Sequence, residues 1–223
     1  MNPTIVICYG AWPLASFFAS LIEAFRARHF IAVCEPPEDY PAIDCNSGIN
    51  PDALYLRNHI LTPLIEQEKD VVIFMHSYGG VYGPEALQGF SKKDRAVRGQ
   101  SGGVIAVIFN AAFIATKGAT AIEATGLDPE NLPDYLNLDR STNLVSFKTE
   151  SAKAMLFHDL PDSEAQRLVE FLPRQPFACF NTAGIELTHW MKNSSYSPHH
   201  EQPDVLARVV IDVLRNIMTK DRP

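Results

Sequence analysis

The ten residues from Val71 to Gly80 constrain this chain more than any other segment. Val71, Val72, Ile73, Phe74 and Met75 form an apolar, β-branched run that reads as a buried strand. It ends in His76, Ser77, Tyr78, Gly79 and Gly80, and a helix-like segment follows. A serine between a buried strand and a helix has the layout of a nucleophile elbow, where a tight turn presents the hydroxyl for attack on an acyl carbon. Small residues two before and two after the serine let strand and helix approach each other. Gly79 fills the later position and Gly80 follows it, but Met75 holds the earlier one. A side chain of that size requires neighbouring packing that makes room.

Around this segment, strands alternate with helices. Thr4 to Cys8 reads as a buried strand, Tyr9 to Pro13 as a loop and Leu14 to Arg28 as a helix with Phe17, Leu21, Ile22 and Phe25 on one face. Ile31 to Cys34 reads as a second strand, and residues 39 to 50 as a loop. Pro51 to Gln67 reads as a helix kinked at Pro63, Tyr78 to Phe90 as the helix behind the elbow and Gly103 to Phe109 as a fourth strand. Near-continuously apolar strands separated by helices imply a parallel sheet covered on both faces. The alternation stops after Ala115. Residues 116–182 carry two short helices, Phe147 to Phe157 and Asp162 to Phe171, and are read as a lid inserted above the C-terminal edge of the sheet. Ile185 to Trp190 reads as a last strand. Pro203 to Met218 is the clearest helix, with Val205, Leu206, Val209, Val210, Val213, Leu214 and Ile217 on one stripe.

A length of 223 residues fits a single domain, with core 1–115 and 183–223. The formal net charge of −7 argues against nucleic-acid and anionic-membrane surfaces as partners. The first charged side chain is Glu23, yet the start lacks a positive region and is broken by Gly10 and Pro13, so no signal peptide is read there. Cys8, Cys34, Cys45 and Cys179 form no CxxC pair, which argues against a metal or redox motif and for a reduced, cytoplasmic setting. No cofactor is implied. Gly99 to Gly103 precedes a strand rather than following one, so it is not a dinucleotide fingerprint. The adjacent His199, His200 and Glu201 do not make a metal centre.

Acyl transfer at a serine needs two backbone N–H groups aimed at the developing oxyanion. Tyr78, after the serine, supplies one. The loop Tyr9, Gly10, Ala11, Trp12 after the first strand supplies the other, with Ala11 as donor. These residues, with His76 to Gly80, Gly102 to Val104, Phe157 to Pro161, Ser197-Pro198 and Gln202 to Ala207, resemble the α/β-hydrolase superfamily over nearly the whole chain. More narrowly, the chain resembles small cofactor-free hydrolases of fungal biosynthetic clusters, relatives of the plant methylesterases and hydroxynitrile lyases. The resemblance implies a three-layer α/β sandwich with a mainly parallel sheet and a small helical lid. It also implies hydrolysis of a small ester, thioester or lactone in secondary metabolism. Trp12, His76, Tyr196 and His158 are the candidate substrate contacts, with a packing role the alternative for His158 in the lid.

The resemblance places the catalytic histidine just before Ser197-Pro198, and there this chain has Tyr196. With a pKa near 10, only about one tyrosine in a thousand is phenolate at pH 7, a poor general base. His199 and His200 lie a few residues on. Three extended residues reach about 10 Å, so either histidine is a candidate base for Ser77. The triad acid is missing as well. No aspartate lies between Asp162 and Asp204, and a late strand-helix unit is absent from the pattern. Two readings follow: a divergent serine hydrolase using Ser77 with His199 or His200, or a hydrolase-fold protein without hydrolysis. The second would bind a small molecule, or steer proton transfer or cyclisation through Ser77 and Tyr196.

Overall fold

The computed structural model describes residues 2–12, 15–35, 51–114, 118–181, 194–195 and 203–220. In chain order they form β1 (Thr4–Cys8), a 3-10 turn (Ala15–Phe18), α1 (Ala19–Arg26), β2 (Ala32–Val33), α2 (Pro51–Tyr55), a π-helical stretch (Leu56–Leu61) and α3 (Thr62–Glu66). Next come β3 (Asp70–His76), α4 (Gly79–Ala86), α5 (Lys92–Val97), β4 (Gly103–Asn110), α6 (Ala121–Thr125), β5 (Leu136–Asp139) and β6 (Leu144–Phe147). The last are α7 (Thr149–Leu156), α8 (Asp162–Glu170), β7 (Gln175–Pro176), α9 (Ala178–Asn181), β8 (Ser194–Ser195) and α10 (Pro203–Lys220).

The main sheet is parallel, in the order β2-β1-β3-β4-β8. Every residue of β1, and Val71 to Met75 of β3, is buried, so both faces of the sheet are covered, as their unbroken apolar runs imply. The chain leaves β1 toward one edge and returns at β3 on the other side. The loops after these two strands therefore part from each other, leaving a crevice at their C-terminal ends, the usual ligand position in an open α/β sheet. The register Cys8 opposite Met75, and His76 opposite Asn110, brings the strand ends level at that crevice.

Several expectations need correction. The second strand is two residues long, and Ile31 is exposed. The helix behind the elbow ends at Ala86 rather than Phe90. At Pro63 the helix changes type: a π-helical stretch (Leu56–Leu61) runs directly into α3, and Pro63 falls in the first turn of α3. The expected single stripe on α10 divides. Leu206, Val210 and Leu214 are buried with Ala207 and Ile211, while Val205, Val209 and Val213 are exposed. Adjacent helical positions differ by about 100°, which puts the three valines at the edge of the buried face.

Residues 118–181 hold more than two helices. β5, β6 and β7 form a separate antiparallel sheet. Phe147 closes β6, so the helix expected from Phe147 starts at Thr149. The carboxylate of Asp139 accepts from the hydroxyls of Ser141 and Thr142 in the β5–β6 turn. Between α7 and α8, Ala152, Phe157, Ala165, Leu168 and Val169 make a second apolar cluster, and Phe17 packs against both this cluster and the main core. No helix among the described residues is long and apolar enough to cross a membrane.

Candidate active site

Ser77 stands between β3 and α4 with φ +50°, a left-handed conformation that costs a residue with a Cβ about 1–2 kcal/mol. Among the described residues six non-glycine residues have positive φ, and three of them, Trp12, Ser77 and Ala111, lie just beyond the C-terminal ends of β1, β3 and β4. Backbone strain is thus concentrated at the crevice. The turn at Ser77 is closed by Gly80 N–H donating to the Ser77 carbonyl at 3.1 Å, and Phe113 N–H donates to the same oxygen at 2.9 Å. A Cβ on Gly79 would stand 2.5 Å from the Cys8 carbonyl oxygen, and one on Gly80 would stand 2.2 Å from that of Phe113. Both positions must therefore be glycine for the strand ends to meet here.

Met75, the departure from the elbow pattern, is fully buried, and its room comes from Gly83. A Cβ on that glycine would stand 2.8 Å from Met75 Cε and 3.1 Å from Sδ. The small residue needed for close packing has moved from the strand to the helix.

The loop after β1 meets Ser77 directly: a Cβ on Gly10 would stand 3.1 Å from Ser77 Cβ. Trp12 ties this loop to residues 118–181. Its backbone N–H donates to Gln175 Oε1 at 2.7 Å and its indole N–H to the Val145 carbonyl at 3.3 Å. Its ring meets Phe147 edge-on, with centroids 4.5 Å apart. A cavity of about 350 Å³ opens between these parts, with Ala11, Trp12, Ser77 and Tyr78 in its wall. Phe147, Phe177 and Phe180 are among the other side chains that line it, and no described lining side chain is charged.

Behind the wall lies a buried polar cluster. Asp52, fully buried in the first turn of α2, accepts from Tyr9 Oη at 2.8 Å and Tyr78 Oη at 3.0 Å. The Cys179 thiol is a third hydrogen-bond partner. Burial pushes the Asp52 carboxyl up to about 6, against the lowering effect of these three partners. Burial, then the nearby Asp52 charge, pushes the Tyr9 phenol far above its ordinary range. Tyr82 Oη donates to the Tyr9 carbonyl at 3.2 Å.

Of the residues singled out in the sequence, the cavity brings together Ser77, Ala11, Tyr78 and Trp12. His76 does not line it: Nδ1 sits 3.1 Å from the Asn110 carbonyl oxygen and the ring packs edge-on to Phe18. His158 also stands apart, exposed and 3.0 Å from Asp159. Tyr196, His199 and His200 lie outside the described residues, as do the expected strand Ile185 to Trp190 and Cys45. Asp52, Gln175 and Cys179 were not anticipated. Asp52 follows Pro51 at a helix start, where an acidic residue reads as a favourable end charge and nothing more.

No protein-family model matches this chain, and no curated protein matches it. Solved structures do. An extracellular α/β-hydrolase from a Paenibacillus species, described as sharing structural and functional homology with tobacco salicylic acid binding protein 2, aligns with TM-score 0.64 at 12% identity over 95% of this chain and 98% of that one. The methylesterase MES16 from Arabidopsis aligns with TM-score 0.66 at 14% identity over 96% and 99%. A pyrethroid hydrolase from Sphingobium faniae JZ-2 aligns with TM-score 0.65 at 13% identity over 94% and 96%.

Proposed function

We propose that this chain, which has the α/β-hydrolase fold, is a serine hydrolase for small esters with an apolar acyl group. The observation that carries the reading is Ser77 itself, strained at φ +50° in the turn between β3 and α4 and set in the wall of an uncharged cavity. A strained serine at that place costs stability and presents its hydroxyl to a ligand. In this reading Ser77 Oγ attacks the acyl carbon, and the backbone N–H groups of Tyr78 and Ala11 hold the oxyanion. His199 or His200 takes the hydroxyl proton and returns it to the leaving alcohol. Water then releases the acid from the acyl-serine.

Phe147, Phe177 and Phe180 favour an apolar acyl group, and about 350 Å³ suits a small molecule rather than a polymer. Residues 116–182 serve as the lid. Thioesters and lactones fit the same chemistry, and a hydrophobic secondary metabolite is the substrate class we favour. The name of the Arabidopsis methylesterase accords with an ester substrate, and that of the pyrethroid hydrolase with hydrolysis.

A fluorophosphonate probe tests this. Wild type is expected to label and Ser77→Ala is not. Absence of labelling between about pH 6 and pH 9, a range that brackets the ordinary histidine pKa of about 6.5, overturns the reading. Tyr196 at the base position favours one alternative, a protein that binds an apolar small molecule without hydrolysing it. That protein would quench Trp12 fluorescence with apolar carboxylic acids while leaving the probe unreacted.

A further inference from the structure

Three groups bonded to Asp52 belong to three different walls of the cavity. Tyr9 leads into the loop of Ala11 and Trp12, Tyr78 follows the nucleophile, and Cys179 lies in α9 between the lining residues Phe177 and Phe180. One carboxylate, itself fully buried, therefore joins both backbone segments assigned as oxyanion donors. Burial holds the carboxyl above its ordinary range beside these hydrogen-bond partners, so the ionised form at neutral pH stabilises the fold less than the protonated form does. The position of the carboxylate has a geometric consequence. Oxyanion donors act only within about 2.7–3.1 Å of the developing charge, and a misplacement of about 1 Å costs on the order of a hundredfold in rate.

We infer that Asp52 is a positioning residue that clamps the loop after β1 to the nucleophile elbow through Tyr9 and Tyr78, and so sets the spacing of the Ala11 and Tyr78 backbone donors. Its catalytic consequence rests on the hydrolase reading; the clamp itself does not. The carboxylate accepts from both phenols at once, Oδ1 from Tyr9 and Oδ2 from Tyr78. An asparagine in its place has one acceptor oxygen, and its amide N–H donates to the other phenol oxygen, so two charge-assisted bonds become neutral ones and one reverses direction.

Amide hydrogen exchange on the full chain at pH 7 tests the clamp without needing activity. The reporters are Trp12 N–H, bonded to Gln175, and Gly80 and Phe113 N–H, both bonded to the Ser77 carbonyl. Val72, Ile73 and Phe74 in β3 are the reference. In Asp52→Asn the three reporters are expected to exchange about tenfold faster, the effect of replacing charge-assisted bonds by weaker neutral ones, while the reference amides keep their protection and the urea midpoint does not fall. Tyr9→Phe is expected to release Trp12 alone, and Tyr78→Phe to release Gly80 and Phe113 alone. These two variants decide the matter should Asp52→Asn fail to fold. Uniform acceleration, or none at the reporters, overturns the clamp.

With the fluorophosphonate, the maximal inactivation rate of Asp52→Asn is expected to fall about 10- to 100-fold while the half-saturating probe concentration holds. An unchanged rate beside released reporters removes the positioning role. A wild type that never labels sinks the hydrolase reading, and the exchange result still decides the clamp.

Discussion

If Gly83 makes room for Met75, the two positions should be energetically coupled in a double-mutant cycle. Met75 is fully buried in β3, and truncating it to alanine should cost about 2–5 kcal/mol for the lost contacts and the cavity left behind. Gly83→Ala adds a methyl whose carbon would stand 2.8 Å from Met75 Cε and 3.1 Å from Sδ. The overpacking should cost about 1–3 kcal/mol. A helix-propensity gain of at most about 1 kcal/mol offsets part of that, reduced because Pro84 follows and crowds a Cβ in helical conformation. In the Met75→Ala background the obstruction is gone, and the new methyl fills part of the vacated space. Propensity and pre-proline terms cancel around the cycle. The double variant should therefore be more stable than additivity predicts by about 1–3 kcal/mol. Urea unfolding of the four proteins, followed by far-UV circular dichroism, measures this. A coupling below about 0.5 kcal/mol would show that Met75 is accommodated some other way.

Gly80→Ala should be far more damaging than Gly83→Ala, because its methyl meets the Phe113 carbonyl oxygen at 2.2 Å, and a backbone atom cannot swing aside. A loss of about 3 kcal/mol or more is expected in the same urea assay. Ser77→Gly should be more stable than Ser77→Ala by about 0.5–1 kcal/mol, since glycine adopts φ +50° without a Cβ penalty but gives back part of the gain as chain entropy; equal thermal midpoints for the two would contradict the strain at Ser77. Asp52 makes stability pH-dependent. Its folded value of about 6 lies above the ordinary aspartate value of about 3.9, so the folded chain holds the extra proton between them. Stability should therefore fall as pH rises from about 4 to about 6, by roughly 3 kcal/mol, and level off above. Asp52→Asn should remove that fall; urea titrations that show the same slope in both proteins would refute it.

The elbow was legible because it is local. A β-branched run, a serine and two glycines within ten residues fix a strand, a turn and a helix start, and the structure has all three. The helices around Ala152 and Ala165 were legible for the same reason. The small sheet was not. β5 and β6 are four residues each, the four-residue turn between them has no glycine or proline to mark it, and β7 joins them from beyond two helices. Such pairing leaves no periodic trace. The Asp52 cluster was hidden more deeply, since Tyr9, Asp52, Tyr78 and Cys179 become neighbours only when the crossovers of the sheet are complete. Met75 shows a third kind of failure. The elbow pattern asks for a small residue at one place, whereas the packing asks only that one of two facing positions be small.

Trp12 has a further consequence for anyone who would redesign this molecule. It is bonded at once to β6 and β7, through the Val145 carbonyl and Gln175, and it follows Ala11 directly. In the hydrolase reading, the wall that would select a ligand and the loop that would stabilise its charge are thus anchored to one another by a single residue. Widening the cavity at Val145 or Phe147 cannot be done as an isolated change of selectivity, because the same edit retunes the anchor of the donor loop. In that reading breadth and rate would be inherited together, and Gln175→Leu is the smallest change that would begin to separate them.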